Sequence, residues 1–256
     1  MTNGITGTIG RKSWGQRLSR GAFWLSLAGL VIALGGAFAA GADIIGKLAG
    51  LSSLGAGAMA ALLGGVLALV AVIIHMRRGS GSTRHIMLAL LLAAPLLGYV
   101  GYFFKTASGL PPIHDVTTNL DNPPTFAKLA LRADNLDMVP DRGRADLQSL
   151  APVDRWKTLH REAYADIKPL SVQSDVAATV DKIAAQAKAR GWDVALVDKA
   201  AGRVEATERV SLYKFADDIV FIVTPDPANP AQSVVNARSV SRIGIGDVGV
   251  NARRIR

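Results

Sequence analysis

Apolar and polar positions divide the chain near residue 104. Before that point, three runs, 22–42, 54–74 and 86–104, contain no Asp, Glu, Lys or Arg. Each has close to the ~20 residues that cross about 30 Å of hydrocarbon as a helix. Backbone groups left unsatisfied in lipid are costly, so such runs insert as helices. The pattern predicts an all-α membrane domain of three helices over 22–104.

Beyond 105 the pattern turns mixed. "SGLPPIHDVTTNLDNPPTF" has two Pro-Pro pairs and Asn/Asp punctuation, which predicts an extended approach with one short strand in "IHDVTT". Residues 127–166, with scattered charges and prolines, read as a surface excursion that can include a helical turn. In 174–191, Val176, Val180, Ile183, Ala184 and Ala187 fall at helical spacing. Ser174 or Asp175 caps the start and Gly191 suits the left-handed position after the end. Four strands follow, in "WDVALVD", "GRVEATERVSLY", "DDIVFIVTP" and "SVVNARSVSRIG", joined by turn signals that fit an antiparallel meander. The fold class predicted for 105–256 is therefore α+β, an antiparallel sheet with a packed helix.

Alternation assigns faces. Val234, Asn236, Arg238 and Val240 share one face of the last strand, with Val235, Ala237, Ser239 and Ser241 opposite. Arg203, Glu205, Thr207 and Arg209 share a face of the second strand. A polar face carrying Glu205, Asp217 or Asp218, and Arg238 is either an ion-pair lattice or the floor of a site.

Charge changes the picture. The formal net charge of +9 resembles a nucleic-acid binder's. Residues 1–104, however, carry eight bases (Arg11, Lys12, Arg17, Arg20, Lys47, Arg77, Arg78, Arg84) against Asp43, leaving only +2 for the rest. The excess base flanks the apolar runs and is topological, so nucleic acid is not an expected partner. Base counting puts the N-terminal segment 1–21 and the second connection in the cytoplasm and residues 105–256 on the outer face of a bacterial inner membrane, in the periplasm. "AFAAGA" also resembles a signal-peptide cleavage site, but the run is long for a signal sequence and two more spans follow. With no cysteine, disulfides and thiolate sites are excluded. No charge lies within a span, which argues against a proton relay, and Pro95 predicts a kink. Gly57, Ala61 and Gly65, four apart, make a small-residue face suited to packing within the chain or between copies in a homo-oligomer.

"IHDVTTNLDNPPTF", "GWDV", "GRVEAT", "FADDIVFIV" and the closing "ARSVSRIGIGDVGVNARRIR", in that order, resemble the domain-of-unknown-function family 1499 over residues 111–256. Asn119 stands where many relatives are expected to carry aspartate, which weakens any metal site resting there. The resemblance implies a membrane-anchored envelope protein and carries no activity with it.

The closing motif concentrates candidate chemistry. Arg238, Arg242 and Arg253, with Ser239, Ser241, Asn251 and the turn glycines Gly244 and Gly246, can form a pocket for a lipid headgroup or an acidic polymer. The alternative is that the arginines pair with Asp217, Asp218 or Asp247, and that Arg253, Arg254 and Arg256 are a basic tail. Asp217, Asp218 and Asp247 are the candidate catalytic acids, although neighbours on a strand point to opposite faces. His114 and His160 lack metal-ligand spacing, and no GxSxG is present, so neither metal nor cofactor is expected. Two functions stand: an envelope protein binding an anionic ligand or an envelope partner, and an envelope enzyme acting on lipid or cell-wall material. Carboxylates facing one another in a cleft favour the enzyme; carboxylates each neutralised by an arginine do not.

Overall fold

A computed structural model describes residues 13–256, apart from the side chain of Pro230; Arg11 and Lys12 of the basic N-terminal segment lie outside the described residues. The chain forms two compact units, Met1–Phe104 and Lys105–Arg256.

The first unit is built by α1 (Trp14–Gly41), α2 (Lys47–Arg78) and α3 (Thr83–Ser108), each long and apolar enough to cross a membrane. They extend beyond the apolar runs because helix ends follow caps, not hydropathy. Ser13 accepts from the Gln16 N–H at the start of α1, and left-handed Gly79 (φ 60°) closes α2. Lys47 Nζ donates to the Ala40 carbonyl and to Asp43, each at 2.6 Å, covering a helix end that lacks an intrahelical partner. The helix α3 runs on through Pro95.

Small residues set the α1–α2 approach. A Cβ added to Gly57 would lie 2.4 Å from the Gly29 carbonyl oxygen, and one added to Gly64 would lie 2.4 Å from Ser26 Oγ. Ala33, Leu54, Ala61, Ala93 and Leu96 form a core cluster joining the three helices. The Gly57–Ala61 stripe thus packs within the chain, while Val31, Phe38, Leu63, Val66 and Leu91 face outward.

The second unit is α+β. Its sheet contains β1 (Asp115–Thr117), β2 (Leu170–Val172), β3 (Asp193–Asp198), β4 (Arg203–Val210), β5 (Phe215–Asp226) and β6 (Asn229–Ser241), ordered β1-β6-β5-β4-β3 with β2 also on β6. All pairings are antiparallel, and β3 to β6 form the expected meander. The helices are α4 (Ala145–Gln148), α5 (Pro152–Ala163), α6 (Val176–Ala189) and α7 (Val250–Ile255). Asp175 caps α6 by accepting from the Ala178 N–H at 2.8 Å, and Gly191 (φ 75°) follows its end. Val180 and Ala184 pack on Val204, Val223 and Val235, while Ala187 packs with Trp192, Ala206 and Ile219.

Residues 127–166 are not the expected surface excursion. They contain α4 and α5 and supply Val139, Leu147, Trp156, Leu159 and Tyr164 to a buried cluster with Ile113, Val116 and Ala252. Within α5, Trp156, Leu159 and His160 form a buried stripe whose histidine breaks the apolar pattern, and Pro152 sits in the first helical turn, where its missing N–H costs nothing. The opposite sheet face is crossed by the segment after β1. Buried Glu205 accepts the backbone N–H groups of Ala127, Lys128 and Leu129 at 2.5, 2.9 and 2.7 Å, and Arg203 donates to the Thr125 carbonyl.

Candidate functional site

The closing motif runs from the end of β6 through a turn into α7, and its arginines are largely committed. Arg238, 6% exposed, donates from Nε and Nη2 to Asp115 at 3.0 and 2.6 Å and from Nη1 to the Pro124 carbonyl. Arg242 forks onto Asp218 with two bonds of 2.8 Å and reaches Thr207 Oγ1 at 3.2 Å. The Asp218 hydrogen bonds raise the Arg242 pKa.

Arg254 is the hub on the other face. It donates to Glu208 at 2.6 Å, Asp217 at 2.7 Å, Ser239 Oγ at 2.8 Å and Asn251 Oδ1 at 2.5 Å. Asn251 Nδ2 donates to the His114 carbonyl and Ser241 Oγ, both at 2.9 Å. The expected basic tail is therefore the short helix α7, with Arg254 buried against the sheet and Arg256 bound bidentately by Asp166. Arg253 is exposed and donates to the Val248 carbonyl.

The turn is fixed by local contacts. Gly244 adopts φ +102°, closed to most side chains, and its carbonyl accepts from Arg132 Nη1 at 2.6 Å. A Cβ at Gly246 would meet Pro112 at 3.4 Å. Asp247 accepts the N–H groups of Gly249 and Asn251 at 2.9 and 2.6 Å, and burial pushes its pKa up. The motif does not bring Arg238, Arg242 and Arg253 to one pocket. Ser239, Ser241 and Asn251 lie inside the Arg254 network. Asp217 and Asp218 point to opposite faces, each holding an arginine, the arrangement that does not favour carboxylate catalysis. His114 contacts the Ile245 carbonyl and Asn135 Oδ1.

A family model described as "Protein of unknown function (DUF1499)" matches residues 115–256, more than half of the chain. The chain belongs to that family. Comparisons with curated proteins and with solved structures gave no match.

The DUF1499 domain keeps one amphiphilic groove open. Its volume is about 370 Å³, and it lies among β2, α6 and α7 over the sheet. Val172, Ile183, Ala187, Phe221, Val235 and Ile255 supply apolar lining. Lys182, Gln186 and Arg190 line it too, at the i, i+4, i+8 spacing that puts them along one edge of α6. Lys182 and Arg190 are exposed and make no ion pair among the described residues. The Arg190 guanidinium lies 5.8 Å from the centre of the Trp192 ring. Trp192 is buried, yet its Nε1–H has no partner, an uncommon state for a buried indole. The groove thus combines apolar walls with two unpaired cations. Sequence reading identified α6 and its buried stripe; the signal it passed over was the basic edge beside that stripe.

Proposed function

We propose that this protein is a membrane-anchored binding protein whose DUF1499 domain takes an acidic amphiphile, an anionic lipid, into the groove beside α6. The carrying observation is the pairing of Lys182 and Arg190 with an apolar lining. Each acyl methylene buried there contributes about 0.8 kcal/mol, and the basic edge of α6 meets the charge of the headgroup. Base counting supports an inner-membrane protein with a cytoplasmic N-terminus and the domain in the periplasm, within the cell envelope.

Native mass spectrometry of the full-length protein released from detergent tests the ligand. The expected result is retained anionic lipid that is depleted in a Lys182→Glu/Arg190→Glu variant; equal retention by both proteins refutes the reading. Alkaline phosphatase fused after Arg256 tests the orientation. Active fusions agree with it, and inactive fusions beside a fluorescent cytoplasmic reporter contradict it.

A further inference from the structure

His114, which leads into β1, is 4% exposed, and both of its ring nitrogens meet oxygen. Nδ1 lies 3.2 Å from the Ile245 carbonyl oxygen, in the turn before α7, and Nε2 lies 3.1 Å from Asn135 Oδ1, in the segment before α4.

The two oxygens constrain the ring. A backbone carbonyl can only accept. The Asn135 amide is oriented by its other end, since Nδ2 donates to Asp115 Oδ2 at 2.9 Å and a turned amide would set its oxygen against that carboxylate. Both partners of the ring are therefore acceptors. An imidazolium donates from both nitrogens, whereas a neutral ring has one N–H and one lone pair. At a buried position, losing the proton exchanges a hydrogen bond for a lone pair facing an oxygen, and that oxygen is left unpaired.

The two bonds are not equally secure. Asn135 stays anchored to Asp115, whose carboxylate is bound in turn by Arg238. Ile245 belongs to a turn whose Ile243 and Ile245 side chains are exposed. Apart from the ring, that turn is held by Arg132 on the Gly244 carbonyl at 2.6 Å and by the Asp247 N–H on the Ile113 carbonyl at 3.3 Å. The turn is the side that gives way.

The charged groups around the ring come from four directions, and each has its own partner. In the segment before α4, Asp134 is held down to about 2, chiefly by hydrogen bonds from Arg132, with the His114 charge acting in the same sense. Asp115 on β1 pairs with Arg238 on β6. On α7, Arg254 pairs with Asp217 and Glu208, while Asn251 reaches the His114 carbonyl. In the turn, Asp247 accepts the Gly249 and Asn251 N–H groups, and burial pushes its pKa up.

We propose that His114 is a pH-sensitive latch on the closing turn: the cation ties the Ile245 carbonyl to Asn135, and the neutral ring keeps Asn135 and releases the turn that leads into α7. The second bond is present on the acid side of the ring's titration and lost on its alkaline side. The latch does not depend on what the groove beside α6 holds.

The test uses the full-length protein in detergent, ¹⁵N-labelled in backbone and histidine rings and followed by NMR across about pH 5–8, where histidines change charge. The His114 ring signals are identified by their loss in His114→Gln. The expected result is two protonated ring nitrogens on the acid side, loss of the Nδ1 proton on the alkaline side, and displacement of the Gly246 and Asp247 amide signals with the same midpoint. Protection of the Asp247 amide from exchange should fall about tenfold over that step, beyond the intrinsic pH dependence. In His114→Gln the step disappears from the turn, while any step due to Asp247 stays. Asn135→Ala, at a half-buried position, removes the competing acceptor, so the neutral ring keeps its Nδ1–H on Ile245. There the ring should still titrate and the turn signals should no longer follow it. A ring that holds one proton throughout, a ring that holds both throughout, a titrating ring that the turn ignores, or a turn that still follows the ring in Asn135→Ala overturns the proposal.

Discussion

Replacing Arg254 by Ala removes the hub that joins α7 to the sheet. The side chains of Arg254 and Asp217 are 2% and 3% exposed, so the variant leaves a buried carboxylate without its counterion. Breaking such a pair costs about 3–5 kcal/mol, against 1 kcal/mol or less for an exposed pair. Glu208 is less affected, since its side chain is 31% exposed and can be solvated. For a domain of this size, each kcal/mol moves the midpoint by about 2–4 °C, so a fall of about 6–20 °C is expected. The assay is thermal unfolding of the full-length protein in detergent, followed by near-UV circular dichroism. Arg254→Lys keeps the charge but not the fork and should fall between the two. The double variant Arg254→Leu/Asp217→Leu should recover part of the loss, because the abandoned carboxylate is its main source. A fall of only one or two degrees in Arg254→Ala would refute the lattice role and return Arg254 to the status of a basic tail.

Other consequences are independent of that hub. In Glu205→Gln an amide nitrogen replaces one of the carboxylate oxygens that accept from the Ala127, Lys128 and Leu129 N–H groups. Hydrogen exchange at those three amides should accelerate by at least tenfold, a loss of about 1.4 kcal/mol or more, and unchanged protection would contradict the anchoring role. Gly57→Val places a branched side chain where a Cβ alone would lie 2.4 Å from the Gly29 carbonyl oxygen. It should destabilise the helical unit by about 1–3 kcal/mol, read as a lowered melting temperature in detergent, and wild-type behaviour would argue against the close α1–α2 approach. Burial lowers the His160 pKa, so the unfolded chain binds a proton there more readily than the folded one. Stability from this group is present above the ordinary histidine pKa of about 6.5 and is lost as pH falls through and below it. The difference in unfolding free energy between wild type and His160→Gln should decline across that window; a flat difference would contradict the assignment.

The legible parts of the fold were those with local signals. The meander β3–β6 shows period-two alternation between turn residues, and α6 carries its own cap and terminal glycine. The helix α5 was illegible because its buried stripe includes His160, which breaks the apolar period, so that Pro152, a helix-start signal, had no amphipathic run to open. The helix α7 was hidden for a similar reason, because a buried face bearing Asn251 and Arg254 makes sense only once Asp217, Glu208 and Ser239 are seen beneath it. The pairing of Arg238 with Asp115 joins residues 123 positions apart, which no local pattern encodes. The closing motif marked the right region as charged and ordered. Whether its arginines met a ligand or one another depended on those distant partners. The groove went unread: Lys182 and Arg190 stand at helical spacing beside the buried stripe but were passed over, and its far wall comes from β2 and α7, neither anticipated.

Occupancy of the groove by an acidic amphiphile can be read through Trp192, one of four tryptophans in the chain and a lining residue of the groove. Fluorescence of the full-length protein and of Trp192→Phe is compared during titration with phosphatidylglycerol or phosphatidylcholine brominated on the acyl chains, so that the difference isolates Trp192. A lipid-filled groove gives saturable quenching of the Trp192 component by the anionic lipid, weaker quenching by the zwitterionic one, and loss of that preference in Lys182→Glu/Arg190→Glu. A Trp192 component that neither lipid quenches would contradict it.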